Sequence, residues 1–491
     1  MIYHCEDHTC NYWDEGEKLP ERCPQCGRKL LRANEADMTG DDWTALGNTL
    51  WDAEASDKKR MVDCFRKAAY LGSAWGVCNL GICMEQGNGV EADPVQAFWL
   101  YQQAVEMGSL NAVCCLGVCY QYGIGTAPDA KQAAELYCKA AEYGSPRGQM
   151  LLARAFHDGI GVEADAAEAV HWVRAAAYQR YGEGMHRLGV CYEYGDGVEQ
   201  NWERAVHWFR EAAESGVGVA MTDLGYCYEK GCGVEQNWQE AIKWYEQGAQ
   251  CGNLQSMHNL ACCYEHGEGV EQNMTEAIRW YTAAAEGGNA DDMYELGWQY
   301  DHGEGVEQDM KKAICWYERA AEQNHPAAMN SLGECYAMGR GVPRDLETAM
   351  EWYRRAAELG EAMADYNMGW HLEQAGKLSE AYAHYRKAAD GNDDSAWWAL
   401  GRFYENGVVV AQDGKEARRC YETGEKLGSV KCKMRLARCK LLGIGGRRAK
   451  KAGLDLCRQA LELAKESSEK EDYGYEAEMN LLRRTIAENE S

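Results

Sequence analysis

The chain has 491 residues, a formal net charge of −27, 53 glycines, 23 cysteines and only 7 prolines. This length is too great for one ordinary globular core and is typical of several domains or of one repeat array. So acidic a chain repels phosphate groups, which argues against nucleic acid or an anionic membrane as its main partner.

The same charge favours basic peptides or basic protein surfaces as partners, although it would also serve simply to keep a long array in solution. The first residues, MIYHCEDHTC, lack the basic and apolar regions of a secretory signal. No stretch approaches the roughly 18 consecutive apolar residues that a membrane-spanning helix needs. We therefore expect a cytoplasmic protein whose cysteines are reduced and do not form a disulfide framework.

Four cysteines lie close together at the N-terminus, at Cys5, Cys10, Cys23 and Cys26. Cys23-Pro24-Gln25-Cys26-Gly27 is a knuckle whose two thiolates can face one metal ion, and the first two cysteines supply a second pair. Four thiolates suit tetrahedral Zn²⁺. A segment this short has too little core to fold alone, so the metal would supply its folding free energy.

The segment YHCEDHTCNYWDEGEKLPERCPQCG resembles rubredoxin-like zinc ribbons, which implies a ribbon over residues 1–32 and a linker over 33–40. It departs from that family in the first pair, where two intervening residues are usual, so His4 or His8 remains an alternative ligand. Iron accepts the same four thiolates, but a site appended to a scaffold favours one structural Zn²⁺. Four unrelated thiols in a tail would hold no metal.

A repeated dipeptide dominates the rest of the chain. Leu-Gly or a close variant begins at Leu46, Leu80, Leu116, Leu152, Leu188, Leu224, Leu260, Leu296, Leu332, Met368, Leu400 and Leu436. From Leu80 to Met368 every step is 36 residues. These positions are called marker residues below, and twelve copies in phase indicate a repeat array.

One repeat, residues 220–253, shows what each copy encodes. Ala220, Leu224 and Tyr228 recur every four residues and define one helical face. Gly225 lets a neighbouring helix approach closely, and a Gly-x-Gly turn ends the helix. A second helix carries a stripe of Ala241, Trp244, Tyr245, Gly248 and Ala249. Each repeat is thus predicted to be a helix–loop–helix hairpin that buries its stripe by stacking on its neighbours.

The pattern resembles the Sel-one-like repeat family, a relative of the tetratricopeptide repeats. The matching residues are the first-helix core, the GDGV turn and the second-helix signature, at Leu188, Gly189, Tyr192, 195–198, Ala205, Trp208, Phe209, Ala212 and Ala213. The resemblance implies an all-α, right-handed superhelical solenoid of about twelve repeats over residues 41–471. It also implies an adaptor or scaffold that is not an enzyme. The polar segment 472–491 is predicted to be a helix that closes the exposed end of the array.

Two further columns of residues recur in phase. Cys83, Cys119, Cys191, Cys227, Cys263, Cys335 and Cys439 lie three residues after a marker residue, which predicts a buried packing column. Trp172, Trp208, Trp244, Trp280, Trp316 and Trp352 are 36 residues apart on the second helix, and we interpret them as core.

Catalytic motifs are weak. Ser-x-x-Lys occurs at Ser56/Lys59 and Ser467/Lys470 without the companion motifs of serine acylases, so a β-lactamase-like hydrolase is a remote alternative. The first alternative to an adaptor is an iron-binding redox or enzyme-accessory protein that uses the N-terminal cysteines.

The resemblance to tetratricopeptide hairpins implies that the first helix lines a partner-binding groove. Its groove positions lie two before, two after and five after each marker residue. The groove candidates are Tyr226, Glu229, His258, Glu265, Tyr294, Trp298, Asp301, Tyr366 and Trp370. An aromatic and acidic groove favours a protein or peptide partner with basic residues and apolar anchors.

Overall fold

The computed structural model describes residues 2–5, 13–15, 30–32, 35–51, 55–470 and 476–490. The chain forms two compact units, Met1–Ser256 and Met257–Ser491, which we call unit 1 and unit 2. From residue 40 onward, the described part of each unit is a stack of antiparallel helical hairpins. The all-α solenoid predicted from the period of 36 is therefore confirmed.

Three short strands precede the helices. Strands β1 (Ile2–Cys5), β2 (Trp13–Glu15) and β3 (Leu30–Arg32) form an antiparallel sheet with β1 between the other two. A 3₁₀ turn at Glu35–Asp37 follows, and Met38 is buried against the first hairpin. Part of the predicted linker 33–40 therefore packs on the solenoid, because it carries an apolar side chain.

The helices of unit 1 are α1 (Gly40–Thr49), α2 (Ala55–Tyr70), α3 (Ala74–Gln86), α4 (Pro94–Glu106), α5 (Leu110–Tyr122), α6 (Ala130–Glu142), α7 (Pro146–Asp158), α8 (Ala166–Tyr178), α9 (Gly182–Tyr194), α10 (Trp202–Glu214), α11 (Gly218–Lys230) and α12 (Trp238–Gln250). They are followed by α13 (Leu254–His266), α14 (Met274–Glu286), α15 (Ala290–His302), α16 (Met310–Glu322), α17 (Pro326–Met338), α18 (Leu346–Glu358), α19 (Ala362–Gln374), α20 (Leu378–Asp390), α21 (Asp394–Asn406), α22 (Gly414–Lys426), α23 (Val430–Leu442), α24 (Lys450–Lys470) and α25 (Glu476–Glu490).

Helices α11 and α12 show why the sequence forms this hairpin. Helix α11 ends at Gly231, whose φ of 72° is left-handed and costs glycine little. Helix α12 begins after Asn237, whose side chain accepts hydrogen bonds from the first turn. Between the helices the ring of Tyr245 lies against Gly225, where an added Cβ would come within 2.5 Å of the ring. The glycine that follows the marker residue therefore makes room for a buried aromatic ring of the second helix.

The cysteine column is confirmed as packing. All seven of its cysteines are buried, and none forms a disulfide with another described residue. Burial raises the pKa of Cys83 to about 11 and that of Cys227 to about 12, so both stay neutral near pH 7. A neutral thiol behaves as a small apolar side chain. Cysteine recurs at this position of the repeat because its size fits the space between stacked helices.

The tryptophan column is only partly core, which corrects the sequence-based interpretation. Trp244 is buried, whereas the other five tryptophans are half-buried. The guanidinium carbon of Arg319 lies 4.2 Å from the ring centroid of Trp316, and that of Arg355 lies 4.4 Å from the ring centroid of Trp352. The residue that fills the core is the aromatic or apolar side chain one position later, because that position faces the small residue, usually glycine, that follows the marker residue.

Helix α25 covers the end of the array in unit 2. Met479 and Leu482 are buried against helices α23 and α24. Arg435 donates to both carboxylate oxygens of Glu478, at 2.6 and 2.8 Å, and also to Glu405 at 3.3 Å. The tail predicted to be a polar helix over 472–491 thus contributes both apolar contacts and a nearly buried ion pair.

Candidate partner-binding site

A hydrogen bond between the two helices of a hairpin recurs along both units. The hydroxyl of buried Tyr245 donates to Glu229 at 2.8 Å, and that of Tyr281 donates to Glu265 at 2.5 Å. The same bond joins Tyr101 to Glu85, Tyr137 to Gln121, Tyr385 to Glu373 and Tyr421 to Glu405. The acceptor lies on the first helix and satisfies a hydroxyl that would otherwise be buried without a partner.

This bond gives two of the predicted groove residues a structural contact. Glu229 uses one carboxylate oxygen for Tyr245 and the other for Lys230, whose Nζ lies 2.6 Å away. Glu265 accepts from Tyr281. Each glutamate therefore connects the two helices of its hairpin, and its carboxylate is already hydrogen-bonded within the protein.

Five of the predicted groove residues line one cavity of about 660 Å³ in unit 2. Its walls come from helices α15, α17 and α19, the first helices of three consecutive hairpins, with side chains from α16 and α18 behind them. The lining residues are Tyr294, Trp298, Asp301, His302, Tyr317, Ala327, Asn330, Ser331, Glu334, Met338, Arg340, Tyr353, Glu361, Met363, Tyr366, Asn367, Trp370 and His371. We call this the unit 2 cavity.

Aromatic and methionine side chains supply the apolar surface of the unit 2 cavity. Trp298 is half-buried and stacks on His302, with ring centroids 4.4 Å apart. Trp370 is 38% exposed and packs edge-on against His371. Met338 and Met363 are 60% and 49% exposed. These side chains offer rigid rings beside flexible thioethers, a combination suited to apolar anchors of varied shape.

Amides and one carboxylate form a polar row in the same cavity. Asn367 donates to Asn330 at 3.0 Å and to Glu334 at 3.2 Å. Asn330 in turn donates to Glu334 at 3.1 Å. Because an amide side chain both donates and accepts, this row has hydrogen-bonding capacity left for a peptide backbone.

The cavity carries more acidic than basic groups. Its lining includes the carboxylates of Asp301, Glu334 and Glu361 against one guanidinium, that of Arg340. Asp301 is 3% exposed and pairs with Arg340 at 2.8 Å, so this predicted groove residue is already neutralised. Burial raises the pKa of Tyr294, and nearby glutamates, including Glu334 and Glu361, raise it further. Arg340 also lies 3.9 Å from Glu334, so one guanidinium faces three carboxylates and the lining is acidic on balance.

The other predicted groove residues lie elsewhere. Tyr226 is 43% exposed on α11 in unit 1, and His258 lies on α13 beside buried Asp292. Sequence reasoning missed Asn330 and Glu334, although they stand two before and two after the marker Leu332 and the same offsets would have selected them. Met338, Met363 and Arg340 carried no such signal, because they lie at helix ends and in a turn.

Several predicted site residues lie wholly or partly outside the described part of the chain. Cys10, Cys23 and Cys26 lie outside the described residues, and Cys5 ends strand β1 without a described side chain. His4 lies within the same strand, and His8 is outside the described residues. The side chains of Ser56 and Ser467 are likewise outside the described part, on helices α2 and α24. In the part of the chain that the structure describes, no helix is long and apolar enough to cross a membrane.

Comparison with known proteins gives a consistent result. Ten consecutive segments match the Sel1 repeat, at residues 76–109, 112–145, 146–181, 182–217, 218–253, 254–289, 290–325, 326–361, 362–393 and 396–429. The structure of c5321, a protective antigen present in uropathogenic Escherichia coli strains displaying an SLR fold, is 30% identical with a TM-score of 0.57; the match covers 87% of this chain and 94% of that one. A Sel1 repeat protein from Oxalobacter formigenes is 26% identical with a TM-score of 0.48, covering 70% of this chain and 97% of its own. A search of curated protein sequences gave no match.

Proposed function

Because the chain belongs to the Sel1 repeat family, whose solenoids are generally protein-interaction scaffolds and typically not enzymes, we propose that it is an adaptor. Its partner is a protein segment that binds in the unit 2 cavity. The observation that carries this proposal is the meeting of Trp298 and Trp370, from hairpins two repeats apart, in one cavity with a polar row between them.

The apolar part of the cavity supports a segment with aliphatic or aromatic anchors. Interface energy is concentrated in a few buried aromatic contacts, and tryptophan is among the residues most often responsible. Trp298 is held by its stack on His302, so little conformational entropy is lost when a ligand covers its free face. Met338 and Met363 at the edge can adjust to anchors of different shape.

The polar part supports an extended backbone and a basic side chain. The row of Asn330, Asn367 and Glu334 offers donors and acceptors at neighbouring positions. Glu334 and Glu361 favour lysine or arginine on the partner, and exposed charges of this kind make association sensitive to salt. The partner segment is therefore basic, with apolar anchors beside its positive charges.

Methionine footprinting tests this proposal. Peptides selected on the full-length protein from a random library should slow peroxide oxidation of Met338 and Met363 several-fold when bound, because they cover both thioethers. Met107, 37% exposed in unit 1, is the internal control and should oxidise at an unchanged rate. Equal oxidation of Met338 and Met363 with and without saturating peptide would show that recognition lies elsewhere.

We also propose that Cys5, Cys10, Cys23 and Cys26 hold one structural Zn²⁺. Four thiolates fit tetrahedral zinc, and one strand pairing is consistent with a site that includes Cys5. Cys5 pairs with Leu30, and Leu30 follows Cys26 by four residues, so the end of β1 lies beside the start of the strand that the knuckle precedes. The adaptor role does not depend on this metal.

Metal analysis tests the zinc proposal. The purified protein should contain one zinc per chain, and the double variant Cys23→Ser, Cys26→Ser should lose it while its helical circular dichroism stays unchanged. A red protein with visible thiolate-to-iron absorption would assign the site to iron. Native protein without any metal, or zinc retained by the double variant, would contradict the proposal.

A further inference from the structure

A cysteine, a histidine and an aspartate lie in a row in unit 2. Cys262 and His258 are one turn apart on helix α13, with Sγ 3.5 Å from Nε2. The other ring nitrogen, Nδ1, lies 2.7 Å from Oδ1 of Asp292 on helix α15. This is the sequence of contacts that an activated nucleophile requires: a thiol, a base within reach, and a group that orients the base.

Asp292 is the buried member of this row. Its side chain is fully inaccessible, and Oδ2 has no hydrogen-bond partner among the described residues. A buried carboxylate with one unsatisfied oxygen is costly, and two features offset that cost. It lies in the first turn of α15, where the helix dipole favours negative charge, and it faces an imidazole.

The ring of His258 is therefore fixed between Asp292 and Cys262. Its hydrogen bond with Asp292 and that with Cys262 raise the pKa of His258 to about 10, against the effect of burial. Burial raises the pKa of the Asp292 carboxyl, and the bond from His258 opposes that rise. With Nδ1–H donated to Asp292, Nε2 is the ring atom that faces sulfur.

We propose that Cys262 is a nucleophilic thiol that exchanges with small disulfides, with His258 as its proton partner and Asp292 as the residue that positions His258. This goes beyond the adaptor role and does not depend on the unit 2 cavity. Once Nε2 of His258 holds the proton of the Cys262 thiol, the thiolate attacks one sulfur of the disulfide. A new bond forms between Cys262 and that sulfur while the original S–S bond breaks, and the released thiolate takes up the proton that the Cys262 thiol gave to Nε2 of His258.

Among the described side chains that contact Cys262, only His258 is placed to accept and return that proton. The hydroxyl of Tyr281 lies 3.4 Å from Sγ, but it donates its one hydrogen to Glu265 at 2.5 Å. Acyl transfer is disfavoured by the same geometry. Cys262 lies within helix α13, so its backbone N–H is engaged in the helix and cannot form an oxyanion hole.

The other cysteines provide an internal comparison. Those of the packing column are buried. Cys251 and Cys315 are exposed, whereas Cys262 is only partly exposed, and among the described residues neither of the exposed thiols contacts a histidine. Accessibility alone therefore predicts that Cys251 and Cys315 react first. The proposal predicts the opposite order.

The test uses the full chain and glutathione disulfide at neutral pH, with mixed disulfide at each cysteine followed by peptide mass spectrometry. Cys262 should react about tenfold or more faster than Cys251 and Cys315. His258→Gln should lower the Cys262 rate to that of Cys315, and Asp292→Asn should lower it in the same direction.

The comparison among three thiols is made within the parent protein, so it decides the proposal even where a variant does not fold. Cys262 reacting no faster than Cys315 would overturn it. So would an unchanged Cys262 rate in a His258→Gln variant whose circular dichroism matches that of the parent. An intact rate in Asp292→Asn alone would remove Asp292 from the assignment.

Discussion

Replacing Leu224 with aspartate is expected to unfold the middle of unit 1. Leu224 is fully buried among Phe209, Ala213 and Met221, which come from two neighbouring hairpins. A carboxylate placed there has neither water nor a described cation to pair with. The loss of free energy of unfolding should be about 5 kcal/mol or more, at the extreme of single substitutions.

The loss should be local, because each hairpin contacts mainly its neighbours. Hydrogen exchange should show lost protection in α9–α12 with protection kept in α3–α6, and thermal unfolding should no longer be a single transition. Val219→Asp is the matched control, since Val219 is 48% exposed in the first turn of the same helix and an acidic residue is favourable there. Identical melts for Leu224→Asp and the parent would contradict the assignment of the marker residues to the core.

The fold was predictable because the residues that pack between helices recur at the same positions of each repeat. A marker leucine, a glycine and a cysteine recur in phase, and all three positions are determined by contacts between adjacent helices. Two departures obey the same rule. Ala153 and Ala437 replace the marker glycine, and the facing residues are Val173 and Cys457, each smaller than the usual tyrosine. Ala261 departs differently, because it faces Tyr281 with the larger ring retained.

The tryptophan column shows where periodicity fails. A residue in the core and its neighbour at the edge of the core recur with the same period, so spacing alone could not separate Trp316 from Tyr317. The distinction comes from the glycine opposite, Gly297, which admits only the tyrosine ring.

The sequence predicted five residues that line the unit 2 cavity, but it did not predict the contacts of each side chain. Fixed offsets from the marker placed Trp298 and Trp370 in one cavity. The same offsets also selected Glu265 and Asp301, which satisfy a buried hydroxyl and a guanidinium. Those partners come from other elements at distances that sequence does not reveal, and the Cys262–His258–Asp292 row was missed for the same reason.

The second large effect is expected on binding. Trp298→Ala and Trp370→Ala each remove a ring whose exposed face borders the unit 2 cavity, without opening the buried core beside Leu296 or Met368. Each change should weaken a bound peptide by on the order of 2 kcal/mol, or about thirtyfold. The double variant should lose more than about a hundredfold, with little change in the free energy of unfolding.

The most direct measurement of the adaptor claim is a calorimetric titration of one library-selected basic peptide into the parent and into the Trp298→Ala, Trp370→Ala variant. The matched control is Trp75→Ala, Trp99→Ala, two tryptophans of unit 1 that are 57% and 66% exposed. We predict that the control binds as the parent does and that the cavity variant loses more than about a hundredfold in affinity. Equal affinity of parent and cavity variant would contradict the claim that partners bind in the unit 2 cavity.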